Sequence, residues 1–391
     1  MLEIINKRTE RAKTFDLGNR KKRLESHIGA IHYKEDYEDS REDWKDIDLI
    51  WEGNQITKAP FILTYDDKKL TVYNRKTKET STIELLEIGG KKIKDKEWIK
   101  TKANAKNPDV VTLEDAVLDT DLEINVENDC VRFTRVLKSD KAPKEAKFKV
   151  TGNGFQYKAI DSDGKEVKVV STLVGDILTE EIEPDDKTVY PVRVDPTWQV
   201  AASTDDCTRG YDADYFYTDY GFLPLGYTSV SNKDLGSAAR FLNVNIPAGS
   251  TIDTSVLILT AGINCTEEVV NSRIRCEKNT APVTFSDSTD FDARTWTTAY
   301  VNWDAIPQWS TDESGADTTS TDFATPLQEV ADLGGLTHIV VEWDDWEKRS
   351  DQENNHYRYS RSYDGSTTKA PVLSVTYTES STFVPKFMGI T

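Results

Sequence analysis

The chain has 391 residues, 37% of them hydrophobic and 10% aromatic, which is enough apolar material to bury two domain cores and too much for a disordered chain. Its formal charge of −19 disfavours binding to phosphate backbones, and no run approaches the ~20 consecutive apolar residues of a membrane helix. Four cysteines without CxxC spacing and four histidines leave few ligands for zinc or iron.

The first residues, MLEIINKRTERAKTF, lack the apolar core of a secretory signal, so classical export is not expected. Asn6–Ser26 is basic and apolar-poor, with no sustained helical stripe. Arg8, Arg11, Lys13, Arg20, Lys21, Lys22 and Arg23 are therefore expected on a solvated arm that orders against an acidic partner. Ile28, Ile31, Tyr33, Trp44, Ile47, Ile50 and Trp51 follow and are expected to pack as irregular structure, completing an arm and docking segment over residues 1–55.

Residues 56–195 read as a β-rich, sandwich-like domain. FILTYDDKKLTVYN alternates about Asp66-Asp67 as a hairpin, and KETSTIELLEIGG is a strand ended by Gly89-Gly90. AKFKVTGNGFQYKAIDSDGKEVKVV breaks at Gly152-Asn153-Gly154 and at Asp163-Gly164. LEINV and CVRFTRV alternate as strands, and the stretch around them has room for one short helix. VYPVRV, Val189–Val194, closes the domain. Pro191 assigns it to an edge or a strand start, and Asp195-Pro196 is expected to stop the ladder and mark the boundary.

Residues 197–380 read as an all-β, jelly-roll-like sandwich, with strands at WQVAAS, ARFLNVNI, SVLILTA, SRIRCEK, THIVVEW, HYRYSRS and PVLSVTYT. One helix is expected near Thr325–Val330, with Thr325 as N-cap, Pro326 in the first helical position, Gln328 completing a capping box and Gly334 ending it. From Thr197 onward 13 basic and 28 acidic residues hold −15 of the total charge. The tail, residues 381–391, carries Phe383, Val384, Phe387 and Met388, apolar enough for a contact between subunits.

VYPVRVDPT, QVAASTDD, AARFLNVNIPAGSTIDTSVLILTA, TWTTAYVNWD and SRSYDGSTTKAPVLSVTY occur in an order that resembles the DNRLRE family of β-sandwich domains, relatives of some carbohydrate-binding modules. The resemblance covers about half the chain. Where that family carries its signature hexad, this chain reads CTRGYDADYFY, so no ligand carries over with it. HIGAIHYKEDYEDSREDWKDIDLIW resembles N-terminal segments of bacteriophage structural proteins that bear such sandwiches. The resemblance implies a virion protein, made in the host cytoplasm and extracellular after lysis, which agrees with the missing export signal. Head decoration, head fibre and tail-associated adhesin all fit. The alternative is a cell-surface or secreted carbohydrate-binding module protein. Implied partners are other capsid or tail proteins, copies of the same chain and a host-surface glycan, with neither nucleic acid nor membrane.

No catalytic residue stands out. Asp344, Asp345 and Glu347 lie close together, but no acid has an evident opposite number, and no serine sits in a G-x-S-x-G turn. Asp161, Asp163 and Gly164 begin like a calcium loop, yet Lys165 and Thr172 occupy ligand positions, leaving an Asp-Gly turn. Asp205, Asp206, Asp212 and Asp214 have the donors for a Ca2+ ion at a sandwich rim; the other reading is a charged loop. Otherwise no cofactor and no enzymatic activity are expected. Cys265 and Cys276 are either a cross-strand disulfide or free thiols in a reducing cytoplasm. Aromatic rings stack on sugars and mark protein contacts, so Tyr215, Tyr217, Tyr220, Trp343 and Trp346 are the candidate glycan or partner contacts, with alternation in ADYFYT turning half its rings inward.

Overall fold

The computed structural model describes all residues except 67, 94–97, 105–106, 153–154, 163–164, 200–203, 212–214, 230–232, 267–269, 353–354 and 381–391. The Asp163-Gly164 turn, the Asn153-Gly154 turn, Asp212 and Asp214, and the apolar tail Phe383, Val384, Phe387 and Met388 fall outside the described residues. The fold is all-β: antiparallel strands throughout, with only two short α-helices among the described residues. Two units form, Met1–Ile28 with Ser203–Thr391, and Gly29–Ala202.

In the Gly29–Ala202 unit, a seven-stranded sheet runs in the order Lys168–Val174, Ile177–Glu183, Glu145–Thr151, Thr80–Ile88, Lys69–Asn74, Phe61–Asp66 and Gln55–Ile56. A six-stranded sheet runs Ile99–Asn104, Asn107–Val117, Thr120–Glu127, Cys130–Leu137, Val192–Gln199 and Phe155–Ile160. Period-two alternation sets the core: Phe61, Leu63, Leu70, Val72, Ile83, Leu85 and Phe148 join Leu122, Ile124, Val126, Phe133 and Trp198 in one buried cluster. The room for a helix in this unit is taken by strands instead.

Asp195-Pro196 does not stop the ladder. Val192–Gln199 is an interior strand, and Asp195 and Pro196 lie opposite Lys158 and Tyr157 on one side. On the other side pairing breaks between Arg132↔Thr197 and Arg135↔Val194, opposite Phe133 and Thr134. Proline removes one donor, and the strand absorbs that loss on a single flank while the other stays continuous. Pro191, preceded by a cis bond, stands just before the strand.

The other unit is the sandwich, built from both ends of the chain. Its five-stranded sheet runs Leu2–Glu3, Ala12–Gly18, Lys21–His27, Val372–Thr378 and Thr251–Ile258. The expected solvated arm is thus two full strands. Lys21–His27 pairs with Val372–Thr378 from Lys21↔Thr378 to His27↔Val372, and Ala12, Thr14, Leu24 and Ser26 are buried. Apart from Leu24 these inward residues are small or polar, so the segment showed no apolar stripe although buried positions alternate over Ala12–Thr14 and Leu24–Ser26. Its cations are held within the same unit: Arg8 by Glu3 at 2.7 Å, Arg11 by Asp205 at 2.7 Å, Lys21 by Asp253 at 3.4 Å, Lys22 by Asp16 at 2.9 Å and Arg23 by Glu25 at 2.6 Å. Lys13 lies part-exposed on a strand, and Arg20 sits in the hairpin turn at φ 65°.

The facing sheet runs Tyr215–Tyr217, Asp206–Gly210, Lys233–Phe241, Ile339–Asp344, Ser272–Cys276 and Val301–Trp303. Phe222–Thr228 pairs with both Lys233–Phe241 and His356–Arg361. Leu24, Phe241, Leu257, Val341, Trp343, Leu373, Val375 and Tyr377 belong to the core. The helix Ala324–Ala331 adds Leu327 and Val330. Its N-cap is Phe323, without a side-chain cap bond, rather than Thr325. Gln328 makes no capping box: its Oε1 accepts the Ile252 N–H at 2.6 Å, fastening the helix to the sheet.

Candidate functional site

Tyr215, Tyr217 and Tyr220 come together. Tyr215–Tyr217 is a three-residue strand paired with Asp206–Gly210, so its rings alternate between faces. Phe216 turns to the buried side, 6.0 Å from Phe291, while the Tyr215 and Tyr217 rings meet edge-to-face at 4.6 Å. The chain then bends through Asp219 and Gly221. Here Ser362 donates to the Tyr220 carbonyl at 2.6 Å. A β-carbon on Gly365 would lie 2.0 Å from the Gly221 carbonyl oxygen, so only glycine lets this turn close against the 363–366 loop.

From Tyr217 the rings continue: Tyr220 at 6.2 Å, Phe222 a further 5.8 Å on, Tyr359 at 6.1 Å and Tyr357 at 4.9 Å. Lys233 lies over Tyr215 at 4.4 Å, and Arg361 over Phe222 at 5.5 Å. Tyr217 is the most exposed of these rings, at 46%, whereas Phe222 is buried and Tyr357 and Tyr359 pack against the core. Burial, then neighbouring phenols, push the Tyr215 and Tyr359 hydroxyls up. Both stay protonated at neutral pH and remain donors as well as acceptors. The arrangement is a graded strip of rings, wet at Tyr217 and dry at Phe222, with hydroxyls and two cations beside it. Sequence reasoning found its first half; Phe222, Tyr357 and Tyr359 join only through pairing of Phe222–Thr228 with His356–Arg361.

Trp343 does not belong to that strip. Ile339, Val341 and Trp343 point to the core on alternate positions of one strand, and Trp343 is fully buried, so no ligand reaches it. Trp346, 54% exposed, packs edge-on against Tyr211 at 5.0 Å.

The opposite face of the Ile339–Asp344 strand holds a constellation that the sequence did not announce. Glu342 and Asp344 are both fully buried. Tyr211 donates to Glu342 Oε1 at 2.7 Å, and Arg275 pairs with Oε2 of the same carboxylate. Arg273 reaches both oxygens of Asp344, with Nη2 at 3.0 and 3.2 Å, and the Trp346 N–H donates to Oδ1 at 2.8 Å. Arg275 lies over Trp296 at 4.8 Å. Burial and the neighbouring Glu342 charge push Asp344 up to about 7 against the pull of the two arginines. Two carboxylates facing two guanidiniums balance in charge, and each carboxylate oxygen has a donor. Such a network fixes strand positions. Asp345, also raised by burial, accepts the Arg349 N–H at 2.7 Å and closes the following turn. The signal, legible afterwards, was period-two charge in SRIRC and VEWD.

Of the calcium candidates, Asp205 is bracketed by Arg11 and by Arg240, whose Nε lies 2.7 Å away, and Asp206 accepts the Tyr363 N–H at 2.8 Å. Two guanidiniums occupy the place a cation would need at Asp205. Among the described residues no group of three or more His, Cys, Asp or Glu is arranged to hold a metal ion. Cys130, Cys207, Cys265 and Cys276 are all buried and free, which decides between the two readings of Cys265 and Cys276 in favour of thiols.

No family model matches the chain, and no curated protein matches it. Among solved structures, a Paenibacillus xanthan lyase is similar at 11% identity with a TM-score of 0.16, over 94% of this chain and 38% of that one. The chain thus spans well under half the lyase, and a likeness of that grade carries no argument.

Proposed function

We propose that the chain is a non-enzymatic structural and binding protein of a phage-like virion, in a decoration, fibre or adhesin role, whose sandwich presents the Tyr215–Tyr217–Tyr220 strip to a glycan. The strip is the observation that carries the binding half of this reading. Rings graded from exposed to buried, flanked by phenolic hydroxyls, offer apolar faces for sugar stacking and donors for sugar hydroxyls. The acidic surface from Thr197 onward favours a neutral glycan over a polyanionic one. The virion half rests on the sequence resemblance. Residues 1–28 are sandwich strands rather than a flexible arm, so attachment to the particle would use a folded surface.

The same strip favours a cell-surface or exported carbohydrate-binding module protein as the second reading. The full chain on a neutral-glycan array tests the binding half: specific retention that Tyr217→Ala weakens supports it, and no retained glycan removes it. A mass-spectrometric inventory of purified particles from the producing culture separates the two settings. Absence of the chain from particles overturns the virion reading.

A further inference from the structure

The sheet edges of this fold are nearly all protected. Leu2–Glu3 and Gln55–Ile56 are two residues long, and Val301–Trp303 and Tyr215–Tyr217 are three. The free edge of Thr251–Ile258 is covered, with Ser255 N–H donating to Asp322 and Leu257 N–H to Ser320. Phe155–Ile160 carries Lys158, a charge that discourages edge pairing.

Among the edges whose side chains are described, Lys168–Val174 is the exception. It is the terminal strand of the seven-stranded sheet, paired on one side alone, with Ile177–Glu183. Residues 170–176 are all exposed, with Val170 at 38%, Leu173 at 59% and Val174 at 72%. After Lys168 the strand reads VVSTLV, strongly β-forming and uncharged. The two-residue Gly175-Asp176 turn makes Val174↔Ile177 a hydrogen-bonded pair, so by alternation the backbone groups of Val169, Ser171 and Leu173 point away from the sheet.

We propose that this edge is a docking surface for a second copy of the same chain, pairing antiparallel across a two-fold axis. The strand is self-complementary. In the register centred on Thr172, Val170 of each copy lies opposite Val174 of the other, and Lys168, which meets Glu183 of its own chain at 2.7 Å, comes beside the other copy's Gly175-Asp176 turn, where Asp176 lies 3.4 Å from Lys149. Ser171 and Leu173 then exchange the backbone bonds. Ends of opposite charge with an apolar middle favour this antiparallel self-pairing over a parallel one, which would set lysine beside lysine. The inference is independent of what the tyrosine strip binds.

An interface of one strand pair falls below the ~1,200 Å2 of stable complexes, so sedimentation of the full chain is expected to show a reversible dimer with a Kd of about 10–100 µM. Ser171→Pro removes an outward donor without touching the internal ladder, and Leu173→Lys adds a charge at an exposed site; each should weaken dimerisation at least ~10-fold with the circular dichroism spectrum retained. Thr172→Cys places a thiol on the two-fold axis and should give a covalent dimer under mild oxidation, the native thiols being buried. Leu118→Cys, at an exposed site elsewhere in the same unit, should not. A chain that stays monomeric, an oligomer unchanged in Ser171→Pro and Leu173→Lys, or cross-linking of Thr172→Cys no faster than of Leu118→Cys overturns the proposal.

Discussion

Replacing Leu24 by alanine tests whether the N-terminal segment is structure or tether. Leu24 is 1% exposed, belongs to the sandwich core, and sits opposite Val375 in the ladder between Lys21–His27 and Val372–Thr378. Truncating a leucine so placed removes its transfer free energy and leaves a cavity, together about 3 kcal/mol within a usual range of ~2–5. For a domain of this size each kcal/mol moves the midpoint by about 2–4 °C, so the sandwich should melt about 6–12 °C lower. Hydrogen exchange read by mass spectrometry localises the effect. Peptides over 21–27, 251–258 and 372–378 should lose protection, while those over 120–137 in the Gly29–Ala202 unit keep theirs. Lys7→Ala is the matched control: its side chain is 38% exposed and pairs with Glu379 at the surface, so its loss should cost less than about 1 kcal/mol. If Leu24→Ala is indistinguishable from Lys7→Ala in midpoint and in exchange, the segment is not a sandwich strand and the packing argument fails.

Tyr220→Ala, a step inward from the exposed Tyr217, should reduce retention on any glycan the full chain binds by about 3–10-fold, the worth of one ring contact; retention unchanged would show that the strip is not the contact. The buried Asp344 has its folded pKa raised from 3.8 to about 7, so the native state binds its proton more tightly than the unfolded chain does. Its contribution is therefore full below about 4 and is lost as pH rises toward 7, and Asp344→Asn should flatten the urea-midpoint profile over that window; an unaltered slope would place the titration elsewhere. Glu329 runs oppositely: bonds from the Ala299 and Thr298 N–H groups and Lys278 lower it to about 2, so Glu329→Gln should lose a stabilisation that wild type keeps above pH ~4.5 and sheds toward pH 2. Ellman's reagent should find no reactive thiol in the native protein and four after denaturation, since all four cysteines are buried and burial pushes the Cys207 and Cys276 thiols up. A thiol that reacts in the native state would contradict the burial.

What was legible in the sequence is what period two controls. The alternation in FILTYDDKKLTVYN and CVRFTRV sorts Phe61, Leu63, Leu70, Val72 and Phe133 into the core, and those side chains are large enough to be read. Ala12, Thr14, Leu24 and Ser26 obey the same period with a single large apolar side chain among them, and the cations around them outweigh the signal. That segment is a strand pair because Val372–Thr378 offers an edge and Thr251–Ile258 already fills the other side, a fact about residues some 350 positions away. Pro196 misled for the mirror reason: its missing donor is a local fact, but whether the ladder tolerates the loss depends on Phe155–Ile160 pairing across the other flank. Trp343 illustrates the limit at a site. Its strand, IVVEWD, is buried on both faces, so no alternation of polarity shows which way a tryptophan points. On one face the core selects Val341 and Trp343; on the other Arg273 and Arg275, arriving from Ser272–Cys276, make Glu342 and Asp344 tolerable. The charge of Glu342 and Asp344 is thus internal pairing. A fragment of the sandwich that begins at Thr197 therefore omits both the Lys21–His27 strand that pairs with Val372–Thr378 and Arg11, one of the two guanidiniums that hold Asp205.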